Sequence, residues 1–190
     1  MKTTKMNTGI SRFSYLNAVA PRDNGDGNPK FSVQILIPKT DTVTINNIKQ
    51  CLSNVIANDK EGNNLLKGIS SPKHPLHDGD GEKPNGGLYD EVCHGHYVMN
   101  ASSRYKPGLV DINNSILPEE QEWYSGIYGR ANINFYAYVN SGNKGIACGL
   151  NHLQKVRDGE ALGGAGSATS AFDDGFNDTD SVIDDFDILN

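Results

Sequence analysis

The chain has 190 residues, 36% of them apolar, with three widely spaced cysteines (Cys51, Cys93, Cys148) and a formal charge of −6. No run approaches the ~20 apolar residues needed to cross a bilayer, and no apolar stretch follows the N-terminal lysines as it would in a secretory leader. An odd number of separated cysteines is no disulfide framework, so a soluble protein of a reducing cytoplasm is expected.

The charge is unevenly placed. Residues 161–190 hold seven of the 23 acidic side chains and none of the 17 basic ones, which leaves the rest of the chain one charge above neutral. One domain over residues 1–160 and an acidic appendage over 161–190 are therefore expected.

In chain order, Arg12–Val19 reads as a first strand, ended by Pro21 and a Gly/Asp-rich turn. Phe31–Ile37 alternates with period two and its odd face (Phe31, Val33, Ile35, Ile37) should be buried. The two strands should pair across the Gly-Asp loop. After Asp41 or Thr42, either a plausible N-cap, Ile45, Ile48, Leu52, Val55 and Ile56 fall at steps of three and four, one stripe of an amphipathic helix ending near Gly62. Residues 69–95 are rich in proline and glycine and read as a long excursion over the surface. Strand patterns resume at His96–Ser103 and Leu109–Ile112.

From Trp123 to Val139 the odd positions carry Ile127, Ala131, Ile133, Phe135, Ala137 and Val139, which predicts one extended, bent strand with Gly126 and Gly129 at a bulge or coil. Ser141–Gly145 should close a hairpin onto Ile146–Lys155. The fold expected is mainly β: an OB-like five-stranded barrel with one amphipathic helix, long loops and a disordered C-terminal tail.

The even face of the long strand carries Tyr124, Tyr128, Arg130, Asn132, Asn134, Tyr136 and Tyr138, with no acid. Solvent-facing strands ordinarily carry Lys, Glu, Thr or Ser. Tyrosine instead offers a flat ring to an unstacked base, worth roughly 1–3 kcal/mol per base, and arginine pairs with phosphate while also stacking. Tyr124, Tyr128, Tyr136 and Tyr138 are the candidate platform, which Phe13, Tyr15 or Tyr97 would extend. Arg12, Arg104, Arg130, Lys144, Lys155 and Arg157 are candidate phosphate contacts, with Lys30 and Lys106 nearby in sequence. The competing explanation is that the tyrosines cover a second apolar layer or a protein interface.

Residues 159–171 have the Gly/Ala/Ser composition of a flexible linker. Beyond them aspartates are interleaved with Phe172, Phe176 and Phe186, too little apolar surface to offset chain entropy. Such a tail would compete with nucleic acid for a basic groove. Its end, Asp184, Asp185, Phe186 and Asp187, would hook basic pockets on partner proteins.

Other chemistry fits less well. Cys93, His94 and His96 with His74 and His77 could supply zinc ligands, but without the usual spacing, and loop histidines are the favoured reading. Asp78–Glu82 opens like a calcium loop but has Lys83 at the sixth position and Tyr89 at the twelfth. Asp78, Asp80, Asp90 and Glu91 would be the acids of a metal-dependent nuclease, with nothing to fix their geometry. No phosphate-binding Gly-Lys-Ser/Thr loop or nucleophile elbow occurs. A non-enzymatic protein without metal or cofactor is expected.

The segments Arg12–Tyr15, Lys30–Lys39, Pro75–Gly79, Gly95–Ser103, Tyr124–Tyr138, Asn143–Leu150 and Lys155–Gly163 resemble a family of phage and prophage single-stranded DNA-binding proteins, first catalogued as a domain of unknown function. The resemblance covers nearly the whole of residues 1–160. It implies an OB-fold, single-stranded DNA as partner, and a role in phage replication or recombination. The acidic tail is similar in kind to those of bacterial and T7-type single-strand binders, where it recruits replication proteins. A homo-oligomer is compatible with this reading. The alternative is a phage structural or interaction protein using the tyrosine face as its interface.

Overall fold

The structure, a computed structural model, describes residues 1–23, 25 and 27–163. The expectations about the tail, Asp184, Asp185, Phe186 and Asp187 included, lie outside them. Eight strands and one α-helix occur among the described residues: β1 (Lys5–Asn7), β2 (Ser11–Arg22), β3 (Lys30–Pro38), α1 (Thr42–Glu61), β4 (Leu76–Asp78), β5 (His96–Ser103), β6 (Gly108–Val110), β7 (Tyr128–Asn140) and β8 (Asn143–Arg157). Five of the strands close a ring in the order β2-β3-β5-β8-β7 and back to β2. All the pairings within it are antiparallel except β5 with β8. This is the OB-like barrel, with β1, β4 and β6 as short additions at its margins.

Alternation fills the barrel. Val33, Ile35 and Ile37 of β3, Met99 and Ala101 of β5, and Ala131, Ile133 and Phe135 of β7 are all buried and meet in one core with Phe13. The helix forms where the stripe indicated. Asp41 caps it by accepting from the Thr44 backbone N–H at 3.0 Å, and Ile45, Ile48 and Val55 enter the core. Asn54 Nδ2 donates to the Thr3 carbonyl at 2.8 Å, and Asn58 exchanges hydrogen bonds with the Lys2 backbone. The N-terminus thereby ties the helix to β7 through β1. No helix among the described residues is long and apolar enough to cross a membrane.

Three local expectations are corrected. The long strand starts at Tyr128, not Trp123: Gly126 has φ +121° and turns the chain. Trp123 and Ile127 still reach the core, with the Trp123 indole donating to the Leu117 carbonyl at 2.9 Å. The hairpin after β7 is tighter than Ser141–Gly145, a two-residue Ser141-Gly142 turn with positive φ at both positions, as a type I′ turn requires. The 69–95 excursion is also more than a surface loop. It adds β4 to β5, and its Tyr89 and Cys93 bury Leu36 and Val98 on the outer side of the barrel.

Candidate nucleic-acid interface

Beyond that covered patch, the outer side of the ring is open and polar. The register aligns one small or polar residue per strand across the whole arc: Asn17 pairs with Ser32, Ser32 with Ser102, Ser102 with Gly149, and Gly149 with Asn134. One step along lies the pair Gln34 and Asn100. Two hollows of about 420 and 510 Å³ lie over this row and share Lys30 and Ser102, so they run into one trough crossing β2, β3, β5, β8 and β7. Arg22, Lys30 and Arg104 line it, with Tyr15, Tyr105 and Tyr136 at its edges and no acidic side chain among the described lining residues.

Each rim tyrosine is placed by its local backbone. Tyr15 sits at a bulge in β2 with φ +44°, an uncommon conformation for a bulky residue, and the bulge turns its ring outward. Its hydroxyl donates to Asp90 Oδ2 at 3.0 Å, and that hydrogen bond to a carboxylate raises the phenol's pKa. Tyr136 faces outward from β7 by alternation with the buried Phe135, and Tyr105 stands largely exposed just past the end of β5. Arg22, Arg104 and Lys106 are exposed and form no ion pair among the described residues.

The sequence-based candidates divide. Tyr15, Arg104 and Tyr136 reach the trough. Tyr138 and Lys144 lie half-buried on the β7–β8 hairpin, where Tyr138 pairs with Gly145 and Lys144 with Val139. Phe13 does not extend a platform: it is fully buried, and the Gly129 backbone lies against its ring. Tyr97 falls on the inner side of β5 with Met99, packed on the core, with Lys39 Nζ at 5.6 Å from its ring. Lys39 is itself held by Asp78 and Asp80, two of the four acids of the nuclease reading.

The remaining candidates build the far end of β7, and the four tyrosines are not one platform. Eight residues of strand, about 26 Å, separate Tyr128 from Tyr136. Two guanidinium groups lie over the Tyr128 ring, Arg157 at 3.6 Å and Arg12 at 5.6 Å from its centroid. Arg12 also donates to the carbonyls of Gly126 and Glu160. Tyr124 is half-buried, its hydroxyl bonded to Asp158 and to the Gly159 carbonyl. Lys155 is not available to phosphate: it is buried and paired with Glu122 and Asp158. Burial pulls its pKa down, but the hydrogen bonds to Asp158 and Glu122 outweigh that and raise it. In turn Lys155, then Tyr124, holds the Asp158 carboxyl below its usual range. Arg130 is exposed on a separate hollow with Ile10, Ile112 and His152, its Nε donating to the Thr8 carbonyl.

The zinc candidates do not converge. His74 and His77 stack on each other at 6.1 Å, His96 Nδ1 meets the His94 carbonyl, and Cys93 is buried under Tyr89 and Leu36. Sequence reading passed over Tyr105 and Arg22. The run Arg104-Tyr105-Lys106, an aromatic between two cations just after a strand, was the available signal for the first.

Residues 4–183 match the family model described as Enterobacter phage Enc34, ssDNA-binding protein. The p50 protein of Acyrthosiphon pisum secondary endosymbiont phage 1 is 36% identical over 159 residues, 80% of this chain and 82% of that one. Among solved structures, the single-stranded DNA-binding protein from bacteriophage Enc34 in complex with ssDNA superposes with a TM-score of 0.71 at 24% identity, covering 84% of this chain and 90% of that one. The single-stranded DNA binding protein gp2.5 of bacteriophage T7 gives 0.59 at 13% identity, covering 93% and 99%. At these identities the superpositions establish the shared fold.

Proposed function

The chain belongs to the family of the phage Enc34 single-stranded DNA-binding protein, and from that premise we propose that it binds single-stranded DNA with little sequence preference during phage replication or recombination, in the cytoplasm of the host and without catalysing a reaction. The observation that carries this reading is the trough across the outer side of the barrel, edged by Tyr15, Tyr105 and Tyr136 and with no acidic side chain among its described lining residues. Bases stack on those rings, and Arg22, Lys30, Arg104 and Lys106 neutralise the phosphates, with Lys144 at the hairpin end. Tyr124, Tyr128, Arg12, Lys155 and Arg157 hold the scaffold instead.

Residues 1–160 act as the binding domain and 161–190 as an acidic appendage with two tasks. Its aspartates compete with DNA for the trough, and Asp184, Asp185, Phe186 and Asp187 engage basic sites on replication or recombination proteins. The last described residue, Gly163, lines a hollow together with Tyr15, Ser14, Asp90 and Leu162.

Fluorescence anisotropy of a labelled thymidine oligomer at low and moderate salt, with duplex of equal length as competitor, tests the reading. Salt-sensitive binding that duplex competes for poorly is expected. No binding at low salt, with the tail aspartates also changed to asparagine, would overturn it.

A further inference from the structure

The floor of the trough has a different chemistry from its rim. Six side chains from four ring strands make it: Asn17, Ser32, Gln34, Asn100, Ser102 and Asn134. None is charged or aromatic. Most of their hydrogen-bonding capacity is also unengaged. Asn17 Nδ2 donates to the Tyr15 carbonyl and to Ser32 Oγ, and its Oδ1 has no partner among the described residues. Gln34 Oε1 receives only a 4.0 Å contact from the Cys93 thiol, and its amide N–H groups have no partner among the described residues. Asn100, Ser102 and Asn134 have no side-chain hydrogen bond there at all.

A binder that used only stacking and charge would have no need of such a floor. An aliphatic or aromatic one would exclude water better and leave no polar group to be desolvated. Covering these amides and hydroxyls with something that cannot hydrogen-bond leaves each group desolvated and unsatisfied, which disfavours binding. Whatever lies in the trough must therefore bring donors and acceptors. The rim rings hold bases by their faces, and a base held by its face has its edge directed elsewhere.

Resting on the proposed DNA-binding function, we infer that this floor takes up the Watson–Crick edges of unpaired bases. Carboxamides and hydroxyls each both donate and accept, so a row of them can rotate to meet the edge of any of the four bases. The contact is therefore edge-dependent without being sequence-specific. It also excludes duplex on chemical grounds, because a paired base has already committed that edge to its complement.

The test compares two oligomers on the full-length protein. One is a thymidine oligomer; the other has its thymines replaced by 2,4-difluorotoluene, which keeps the outline and stacking of the base and hydrogen-bonds negligibly. Binding about fivefold or more weaker for the isostere is expected from the loss of neutral hydrogen bonds. In a Gln34→Ala, Asn100→Ala variant the gap between the two oligomers should narrow, mainly by weakening thymidine. Equal or tighter binding of the isostere to the unaltered protein would overturn the inference while leaving single-strand binding intact. Failure of the thymidine oligomer itself to bind would instead bring down the function on which the inference rests. The unaltered protein decides between these outcomes even if the variant folds poorly.

Discussion

At the scale of single residues, the two ends of β7 illustrate how one chemical type takes two roles. Among the described residues no cation or aromatic ring stacks on the exposed Tyr136, whereas Tyr128 has Arg12 and Arg157 over its ring. Tyr136→Ala should weaken thymidine-oligomer binding about tenfold, the worth of one base stack, with little change in stability. Tyr128→Ala should do the reverse, and anisotropy beside urea denaturation separates the two. Lys155 makes a sharper case. Removing its carboxylate partners with Glu122→Gln and Asp158→Asn leaves a buried ammonium unpaired and should cost about 3 kcal/mol, while Lys155→Met, which removes the charge itself, should stay within about 1 kcal/mol of the parent. The urea midpoints check this. Because the Asp158 pKa is depressed in the fold, its contribution is present above the unfolded carboxylate value of about 3.9 and is lost as pH falls through the folded one.

At the scale of elements, the period of the sequence carried much of the information. The alternation at 31–37 and 96–103 and the three-four stripe from Ile45 gave β3, β5 and α1 nearly to their ends, because burial of one face is what forms these elements. The same rule misled at Trp123–Ile127. Apolar residues there reach the core from a turn at Gly126, and periodicity does not distinguish a strand from a turn that buries the same side chains. Phe13 failed similarly, since an aromatic at a strand position reads the same inward or outward until the register is known. The trough was the least legible feature, as its floor assembles from residues far apart in sequence through strand pairing alone. Gly149 marks its middle, where an added Cβ would meet Asn134 Oδ1 at 2.7 Å. Gly149→Leu places a side chain in the channel and should reduce oligomer affinity by about tenfold or more, the equivalent of one lost stack; unchanged affinity would mean that DNA does not cross β8 at this point.

At the scale of the molecule, charge is divided between body and appendage. Phosphate contacts from Arg22, Lys30, Arg104 and Lys106 should give a log–log salt slope of about −3, at roughly −0.7 per neutralised phosphate on a single strand. Changing the seven aspartates of residues 161–190 to asparagine should tighten binding at low salt, and the gain should fade as salt screens the competition. A titration series at several salt concentrations measures both.

The ring is also unevenly closed. β7 and β8 pair over almost their whole lengths, but β5 meets β8 in register at the single pair Ser102 and Gly149. That pair lies in the floor of the trough, so one of the ring's two short seams, the other being β2 with β7, is where its ligand would lie. A strand of DNA spanning β5 and β8 would act as an external staple across this gap. Occupancy would then be recorded in the protein's own breathing, as a greater slowing of amide hydrogen exchange on DNA binding along 100–103 and 147–151 than elsewhere in the barrel.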